Sequence, residues 1–595
     1  VSDHTGRIAQ VVPDLATFAV DDGFAYAVPP ELEVEIGSLV RVPLGTRRIR
    51  GAVVSLRSGD VESLKPLVAV SGDFPVFDGD LLQTLRWAAL HYVAPLATLL
   101  SRAAPPNLPR GSARRPQDEV ADLDSPLPQL SAAAADGSHV RPSYLVTGRD
   151  YAAHIAGLAN APVQAGRNVA VVAATLEEAR RLAAELRAPY GDRVVFATSS
   201  MSDKELTKAW VAAYETAGVL VVGTPEIALW PLGKPSLWVV VEEGRRAMKA
   251  KQTPTLQVHE LVRRRALVER SGMVLVGPVP TVGTLAHGAA VHELPGRVWP
   301  LVEVVDRREE PPGGRSLANR TLSAIRTAAD DGGQVFVFVS RRGYAPAFRC
   351  VRCRVLRRCP HCGAGPDRGD RCRRCGAGLG PCQQCGGRRF EPLGAGIGRV
   401  SEELVRHVGE HRVGDVGSGR QIVVGSERDL PAVPEAALTV AVDADSLLLA
   451  PHFRAEEEAL RLLARVALTV APGRGRRLVL QTNQPDHRAL RALRLGHPVG
   501  FLLRLAEERA RDGLPPAGDL IAVHVTGDAA VATADIAALE ESGVELHGPE
   551  TVGDVTRWFL QGAALEEAKV RLRAMVQRWR DGGCKVRIDA DPIDL

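Results

Sequence analysis

Apolar and polar positions along the chain change their rhythm several times. Near the N-terminus, short apolar runs ("FAYAVP", "SLVRVPL", "IRGAVVSL") are broken by glycine or proline at Gly37, Pro43 and Gly51. Short β-type runs with such breaks predict a small β-barrel or sandwich-like module. The stretch "GDLLQTLRWAALHYV" then places apolar residues at helical spacing and predicts a helix that closes the module. From Pro105 to Arg141 the chain is rich in Pro, Ser, Ala and acids and shows no period, so a flexible linker is expected there.

Beyond the linker, β and α patterns alternate. "NVAVVAA", "RVVFAT", "GVLVVGT", "LWVVVEE" and "GMVLVGP" are continuous apolar runs of the kind that form strands buried on both faces. Amphipathic stretches such as "LEEARRLAAELRAPYG" separate them, which predicts a doubly wound α/β lobe. A second series ("QVFVFVS", "RQIVVGS", "LTVAVDAD", "RRLVLQT") predicts a second lobe, interrupted by a cysteine-rich insertion. An α+β unit ends the chain in "CKVRIDADPIDL". The expected fold is therefore α/β multidomain. Its parts are a β-rich module over 1–104, a linker over 105–141, lobe one over 142–300, and lobe two over 301–349 and 391–497. The insertion spans 350–390 and the C-terminal α+β domain 498–595.

Composition narrows the function. Hydrophobic residues make up 45% and charged residues 24% of 595, ordinary for a globular protein. A net charge of +4 leaves no whole-molecule basic field, so any nucleic-acid footprint must be local. Aromatic residues are only 4%, which argues against a long single-strand groove paved with rings. No apolar run reaches the ~20 residues of a membrane span. The opening "VSDHTGRIAQ" lacks a signal peptide's apolar core, so a cytoplasmic, nucleoid-associated protein without membrane contact is expected.

Eight of the nine cysteines fall between Cys350 and Cys385, with Cys584 apart. They form four pairs of one spacing: Cys350 and Cys353, Cys359 and Cys362, Cys372 and Cys375, Cys382 and Cys385. Two residues between thiolates let both reach one ion, and a tetrahedral zinc takes two such knuckles. Two closed four-cysteine sites of structural zinc follow, with nested or sequential pairing both open. Arginines crowd the same block, among them Arg349, Arg352, Arg357, Arg358, Arg371, Arg388 and Arg389. They fit either a phosphate-contacting or partner-docking patch, or solubilising charge on a module with little core.

One further stretch, "SYLVTGRDYAAHIAGLA" from Ser143, begins like a phosphate-binding strand–loop–helix. A P-loop needs a second glycine, a lysine and a Ser/Thr at the turn. Here Arg149, Asp150 and Tyr151 stand in that space.

The order of these parts resembles the plan of the primosomal replication-restart protein N-prime (PriA) family. "FAYAVPPELEVEIGSLVRVPLGTRRIRGAVVSL" is similar to that family's DNA 3′-end-binding domain, and "FVSRRGYAPAFRCVRC" to the segment entering its zinc block. "VDADSLLLAPHFRAEE", "LVLQTNQPDHRAL", "GLPP" and the terminal "DADPI" resemble later landmarks, so the likeness covers nearly the whole chain. It implies two RecA-like lobes and nested zinc pairing. Cys350, Cys353, Cys382 and Cys385 would hold one ion, and Cys359, Cys362, Cys372 and Cys375 the other. It also implies a strand-end pocket built on Phe24, Gly45 and Lys65, with Ala25 where the family has an acidic residue.

The departures are as informative. Helicase members have a full P-loop where this chain has "VTGRDYAAH", and a DEEH box where it has Val241-Glu242-Glu243-Gly244. Their GSATP box corresponds to "GPVP" at Gly277, and their arginine motif to "TVAPGRGRR", which leaves Arg474, Arg476 and Arg477 out of pattern. The linker has no room for their winged-helix domain. Such degeneration is expected of the actinobacterial branch. The resemblance then implies a replication-restart primosome factor that binds abandoned forks or 3′-ended DNA and promotes reloading of the replicative helicase. Primosome, helicase-loading and single-strand-binding proteins would be its partners. Two zinc ions are expected and ATP is not. The alternative is a divergent ATP-dependent 3′-to-5′ helicase with an atypical nucleotide site.

Overall fold

All five residues of strand Leu237–Val241 are buried. Its side chains alternate between two separate cores: Trp238 and Val240 join one, Leu237, Val239 and Val241 the other. A strand with no polar face can exist only with packing on both sides, which is what a doubly wound sheet supplies. The chain, described here from a computed structural model, builds two such sheets. The structure describes residues 5–593 apart from 150, 311–314, 341–347, 354, 362–364, 367–369, 373–376, 393–395 and 451.

The first lobe is a seven-stranded sheet. Across it run 290–293, 143–146, 272–277, 237–241, 169–172, 220–223 and 194–197, all parallel. The second lobe is a six-stranded parallel sheet in the order 301–306, 477–482, 438–441, 335–338, 422–425, 413–415. The edge strands Ala290–Glu293, Leu301–Asp306 and Val413–Asp415 escape the sequence pattern. They carry half-exposed polar positions, as edges do, and so lack the continuous apolar run that marks the others.

The N-terminal module is a five-stranded antiparallel sheet. Helix Gly79–His91 follows it, capped by Asp78, whose carboxylate accepts from Leu81 N at 2.8 Å. The buried face of this helix and of Leu96–Ala103 merges with one core of lobe one. The C-terminal sheet of four antiparallel strands is backed by helix Glu566–Asp581. Its last strand reaches back to lobe one, where Lys249 Nζ lies 2.8 Å from Asp589 and donates to the carbonyls of Ala590 and Asp591, both at 2.6 Å. The Asp591 carboxylate in turn lies 3.0 Å from His91 Nε2 of the N-terminal module. The landmark "DADPI" is thus a buried clamp joining three parts of the chain.

Three expected boundaries shift. Residues 105–141 are not a loose linker but are stitched along lobe one. Ala113 N donates to Glu215 at 2.5 Å, Gln117 N to Asp192 at 3.1 Å, and Asn160 Nδ2 to Ala121 O at 2.6 Å. Helix Pro128–Ala135 also buries Leu130 and Ala134 in the lobe's core. A polar, aperiodic sequence hides this because the order comes from side chains of another segment. Helix Pro498–Arg511, expected to open the C-terminal domain, instead buries Phe501, Leu502 and Leu505 in the second lobe's core. Val279, Val282, Leu285 and Trp299, expected in lobe one, pack into that same core. The lobes therefore share a continuous apolar contact.

Candidate functional site

Strand Ser143–Val146 ends at Thr147-Gly148, and helix Tyr151–Gln164 follows. Tyr151 Oη donates to Glu242 Oε1 at 2.6 Å, and both residues are buried. Arg149 reaches across to lobe two and donates to Val433 O at 3.0 Å, as Arg181 does to Pro431 O at 3.2 Å.

Glu242 is the centre of an ion network between the lobes. Its backbone is left-handed at φ 50°, a strained conformation for a non-glycine residue that persists only when surroundings over-determine it. Arg465, on lobe-two helix Ala455–Ala467, brings Nε to 2.7 Å from its carboxylate; Arg245 Nε lies at 3.6 Å. Arg245 also pairs with Glu178, and Arg465 with Glu427 at 3.1 Å. Burial opposes the charge on Glu242, but Arg465, Arg245 and the Tyr151 hydroxyl outweigh it and hold its pKa below the usual carboxylate range. Arg246 adds a bond to Glu458 at 2.9 Å.

The next two residues are reassigned as well. Glu243, fully buried, accepts from Thr281 N at 2.9 Å and Thr284 Oγ1 at 3.0 Å. Gly244 lies under the Arg461 guanidinium: a Cβ there would meet Arg461 Nη1 at 2.0 Å and Cζ at 2.3 Å. An arginine from the other lobe thus occupies the space beside Gly244. Glu457, one turn before Arg461, accepts from Val282 N at 2.9 Å and from Arg509 at 2.7 Å. Of the arginines left out of pattern in "TVAPGRGRR", Arg477 pairs with Glu303 at 2.8 Å on the far edge of the sheet. Arg461 and Arg465 were missed because they occupy the apolar-periodic face of an amphipathic helix. The usable signal was two arginines four apart on a face where apolar residues belong. Beside the network an open cleft of about 590 Å³ is lined by Arg245, Arg246, Lys251, Arg428, Arg461 and Arg465.

In the cysteine block, strands Phe348–Cys350 and Phe390–Pro392 pair antiparallel and bring the ends of the insertion together. The sulfurs of Cys350, Cys353, Cys382 and Cys385 all lie within 4.8 Å of one another, with Cys350 to Cys385 at 3.5 Å and Cys353 to Cys382 at 3.4 Å. Four thiolates at ~2.3 Å from a tetrahedral zinc are ~3.8 Å apart, so the cluster fits that metal. A Cβ at Gly387 would stand 3.0 Å from Cys350 Sγ, so the chain turns closely around the sulfurs. Cys359 and Cys372 are buried with Leu379 in a small core of their own. Cys362 and Cys375 lie outside the described residues.

Arg357 is engaged within the block. Its guanidinium sits 4.0 Å from the Phe390 ring centroid and donates to Asp370 at 2.7 Å and to Leu379 O at 2.6 Å, fastening the block internally. Arg349 ties the block to lobe two through Asn483 at 2.7 Å. The paired acids of "VDADS" have structural partners: Asp445 is 1% exposed and accepts from Thr482 and from Asn483 N at 2.8 Å.

In the N-terminal module, Phe24 starts the edge strand Phe24–Ala27 and is 40% exposed, an aromatic presented to solvent rather than a core residue. Tyr26 Oη donates to Pro43 O at 3.1 Å, and Ala27 N to Lys65 O at 3.0 Å. The strand carrying Phe24 is thus flanked by the segments that carry Gly45 and the exposed Lys65. Gly45 has φ 59° at the tip of the Leu44–Arg47 hairpin, with open space where a Cβ would be.

These features define a class: a DNA-binding β module joined to two doubly wound α/β lobes that face each other across a cleft, with a thiolate cluster on the second. Residues 10–105 match the family model described as the PriA 3′ DNA-binding domain (3′BD). The chain is similar over most of its length to proteins named replication restart protein PriA. It is 29% identical over 535 residues to the probable replication restart protein PriA of Deinococcus radiodurans, an alignment covering 78% of this chain and 56% of that protein. It thus spans little more than half of that relative's length. Against the probable replication restart protein PriA of Mycobacterium tuberculosis it is 26% identical over 575 residues, covering 87% of this chain and 86% of that one. Among solved structures, RecG bound to a three-way DNA junction aligns with TM-score 0.36 and 11% identity, over 86% of this chain and 74% of that one. Among the described residues no helix is long and apolar enough to cross a membrane.

Proposed function

We propose that this protein is a replication-restart factor that recognises forked or 3′-ended DNA and promotes reloading of the replicative helicase without hydrolysing ATP or unwinding DNA itself. Primosome, helicase-loading and single-strand-binding proteins are its expected partners. In this reading residues 1–104 are the 3′-end-binding domain, 142–300 and 301–497 are degenerate helicase lobes, and 350–390 is a two-zinc insertion. The observation that supports the proposal is the buried network in which Tyr151 and Arg465 converge on Glu242. Phosphoryl transfer depends on a phosphate cradle, a metal carboxylate and preorganised cations around the transferring group. Here the cations are already neutralised by protein carboxylates.

The purified protein should show no ATP turnover above background and no fork unwinding, with or without DNA. Val241→Asp should stay inactive, because one restored carboxylate leaves the cradle missing. ATP turnover that follows the protein through purification and is abolished by Glu242→Ala would overturn the reading. The basic cleft of about 590 Å³ beside the network is what favours the helicase alternative, and the same assay decides between them.

The DNA arm is tested separately. Phe24→Ala should weaken binding to 3′-ended DNA by about 1–3 kcal/mol, the worth of one base stacked on an aromatic ring. Lys65→Ala should lower the slope of log affinity against log salt by about one. Unchanged fork binding in the folded double variant would remove these residues from the interface.

A further inference from the structure

The antiparallel strands Leu39–Leu44 and Arg47–Asp60 of the N-terminal module present two faces of different chemistry. The inner face buries Val40, Val42 and Val53, with Ile49 packed against them. The outer face changes along its length. At one end Leu39 lies opposite Ala52, and both are buried in the core shared with helices Gly79–His91 and Leu96–Ala103. Toward the tip at Gly45 the same face becomes Arg41 opposite Arg50 and Pro43 opposite Arg48. There it is uncovered, and Arg41, Arg48 and Arg50 are all exposed.

Two observations say what this face meets. Arg41 and Arg50 stand directly opposite each other, and like charges so placed destabilise a sheet. Asp14 pairs with Arg50 at 3.0 Å, but Arg41 and Arg48 have no ion pair among the described residues, so positive charge remains uncompensated. On a chain whose net charge is only +4, such a local concentration is the footprint of a polyanion. The second observation is chemical. The exposed part of the face is arginine and proline, with no ring on which unpaired bases could stack. Guanidiniums alone suit backbone phosphates, which position DNA without reading its sequence.

Place then decides which phosphates. The face lies within residues 10–105, which match the 3′ DNA-binding domain, and runs up to the tip that carries Gly45. Tyr26 Oη, two residues after Phe24, holds Pro43 O on this same strand at 3.1 Å. From Gly45 back to Arg41 is about 14 Å at the rise of a β-strand. DNA rises ~3.4 Å per nucleotide along each strand, so the face reaches about four nucleotides behind a terminus at the tip. A duplex is stiff over that length and brings its phosphates already ordered, whereas an unpaired strand would have to be ordered on binding.

We propose that Arg41, Arg48 and Arg50 hold the phosphates of duplex DNA just behind a 3′ end seated at Phe24, Gly45 and Lys65. The assignment rests on the end-binding reading above and deepens it: the pocket takes the terminus, and the arginine face selects a terminus still paired to its template.

The test measures binding of the full-length protein, across a range of salt, to a primer–template duplex with a recessed 3′ end and to the same primer as a single strand. The double variant Arg41→Gln, Arg48→Gln should lower the slope of log affinity against log salt by about two on the duplex. Binding there should weaken about tenfold, with the single strand unchanged. Arg41→Lys with Arg48→Lys should keep the slope, since lysine also meets phosphate as a point charge. Neutral methylphosphonate linkages behind the 3′ end should weaken the wild type and leave the double variant unaffected. Its melting temperature should not fall, because the substituted side chains are exposed and Arg41 faces a like charge. Equal losses on duplex and single strand overturn the duplex and give the face to an unpaired strand. Unchanged binding and slope on both substrates, with Phe24→Ala still weakening them, overturn the arginine face alone and leave it to a protein partner. A wild type that binds neither substrate overturns the end-binding reading as well.

Discussion

Replacing Cys350 by serine, or stripping metal with a chelator, is expected to unfold the insertion over 350–390 while both lobes stay folded. Among its described residues the block has little apolar core to fall back on: besides the cysteines, Pro366 and Leu379 are buried, and Ala377 packs against the cluster of Leu379. Structural zinc contributes on the order of 10–16 kcal/mol to the folding of such small modules near neutral pH. The cores of both lobes include none of these cysteines. Elemental analysis should return two zinc ions per chain. If pairing is nested, Cys359→Ser should lose one ion and keep the site of Cys350, Cys353, Cys382 and Cys385, whose sulfurs gather where the two ends of the block pair. One zinc in the wild type, or iron with visible absorbance, counts against the proposal.

The second large effect is expected at the lobe interface. Glu242→Ala leaves the Arg465 and Arg245 guanidiniums buried, their side chains only 9% and 10% exposed, without their shared carboxylate. Breaking a buried pair from one side costs about 3–5 kcal/mol. Because Glu427 and Glu178 remain as partners, a loss near 3 kcal/mol is expected. It should appear as faster amide exchange in helix Ala455–Ala467 and as a lower melting temperature. Combining Glu242→Gln with Arg465→Met should recover part of the loss, since no Arg465 charge is left buried without its carboxylate, Arg245 keeps Glu178, and Glu427 is partly exposed to water. The pH dependence has a definite sign. The pKa of Glu242 is depressed in the folded state, so its contribution is full above the ordinary carboxylate value and is lost as pH falls through the lower folded value. Lobe contact should therefore be unchanged from neutral pH to about 5 and loosen only in stronger acid. An unchanged melting temperature in Glu242→Ala would show that apolar packing alone holds the lobes.

The lock is built from residues that fit one another. Gly244 makes room for Arg461, Tyr151 bonds to Glu242, and Arg465 completes the charge balance. Together they join the two lobes beside the open cleft.

The sequence by itself determined whatever is encoded locally. Continuous apolar runs specify strands buried on both faces, because no other arrangement hides every side chain. Two-residue spacing between thiols specifies metal knuckles, because geometry places both sulfurs on one ion. The absence of a lysine after Gly148 and of an aspartate at position 241 is read directly from the residues, because a P-loop is defined by residue types at fixed spacing. Tertiary structure alone decided what depends on residues far apart in sequence. The ordered path of 105–141 rests on partners such as Asp192 and Glu215. The placing of helix Pro498–Arg511 depends on which apolar face it meets. The pairing of Glu242 with Arg465 joins positions whose chemistry is unremarkable until folding removes the water between them. In water such a pair is worth little; buried together, neither charge can lose the other without cost.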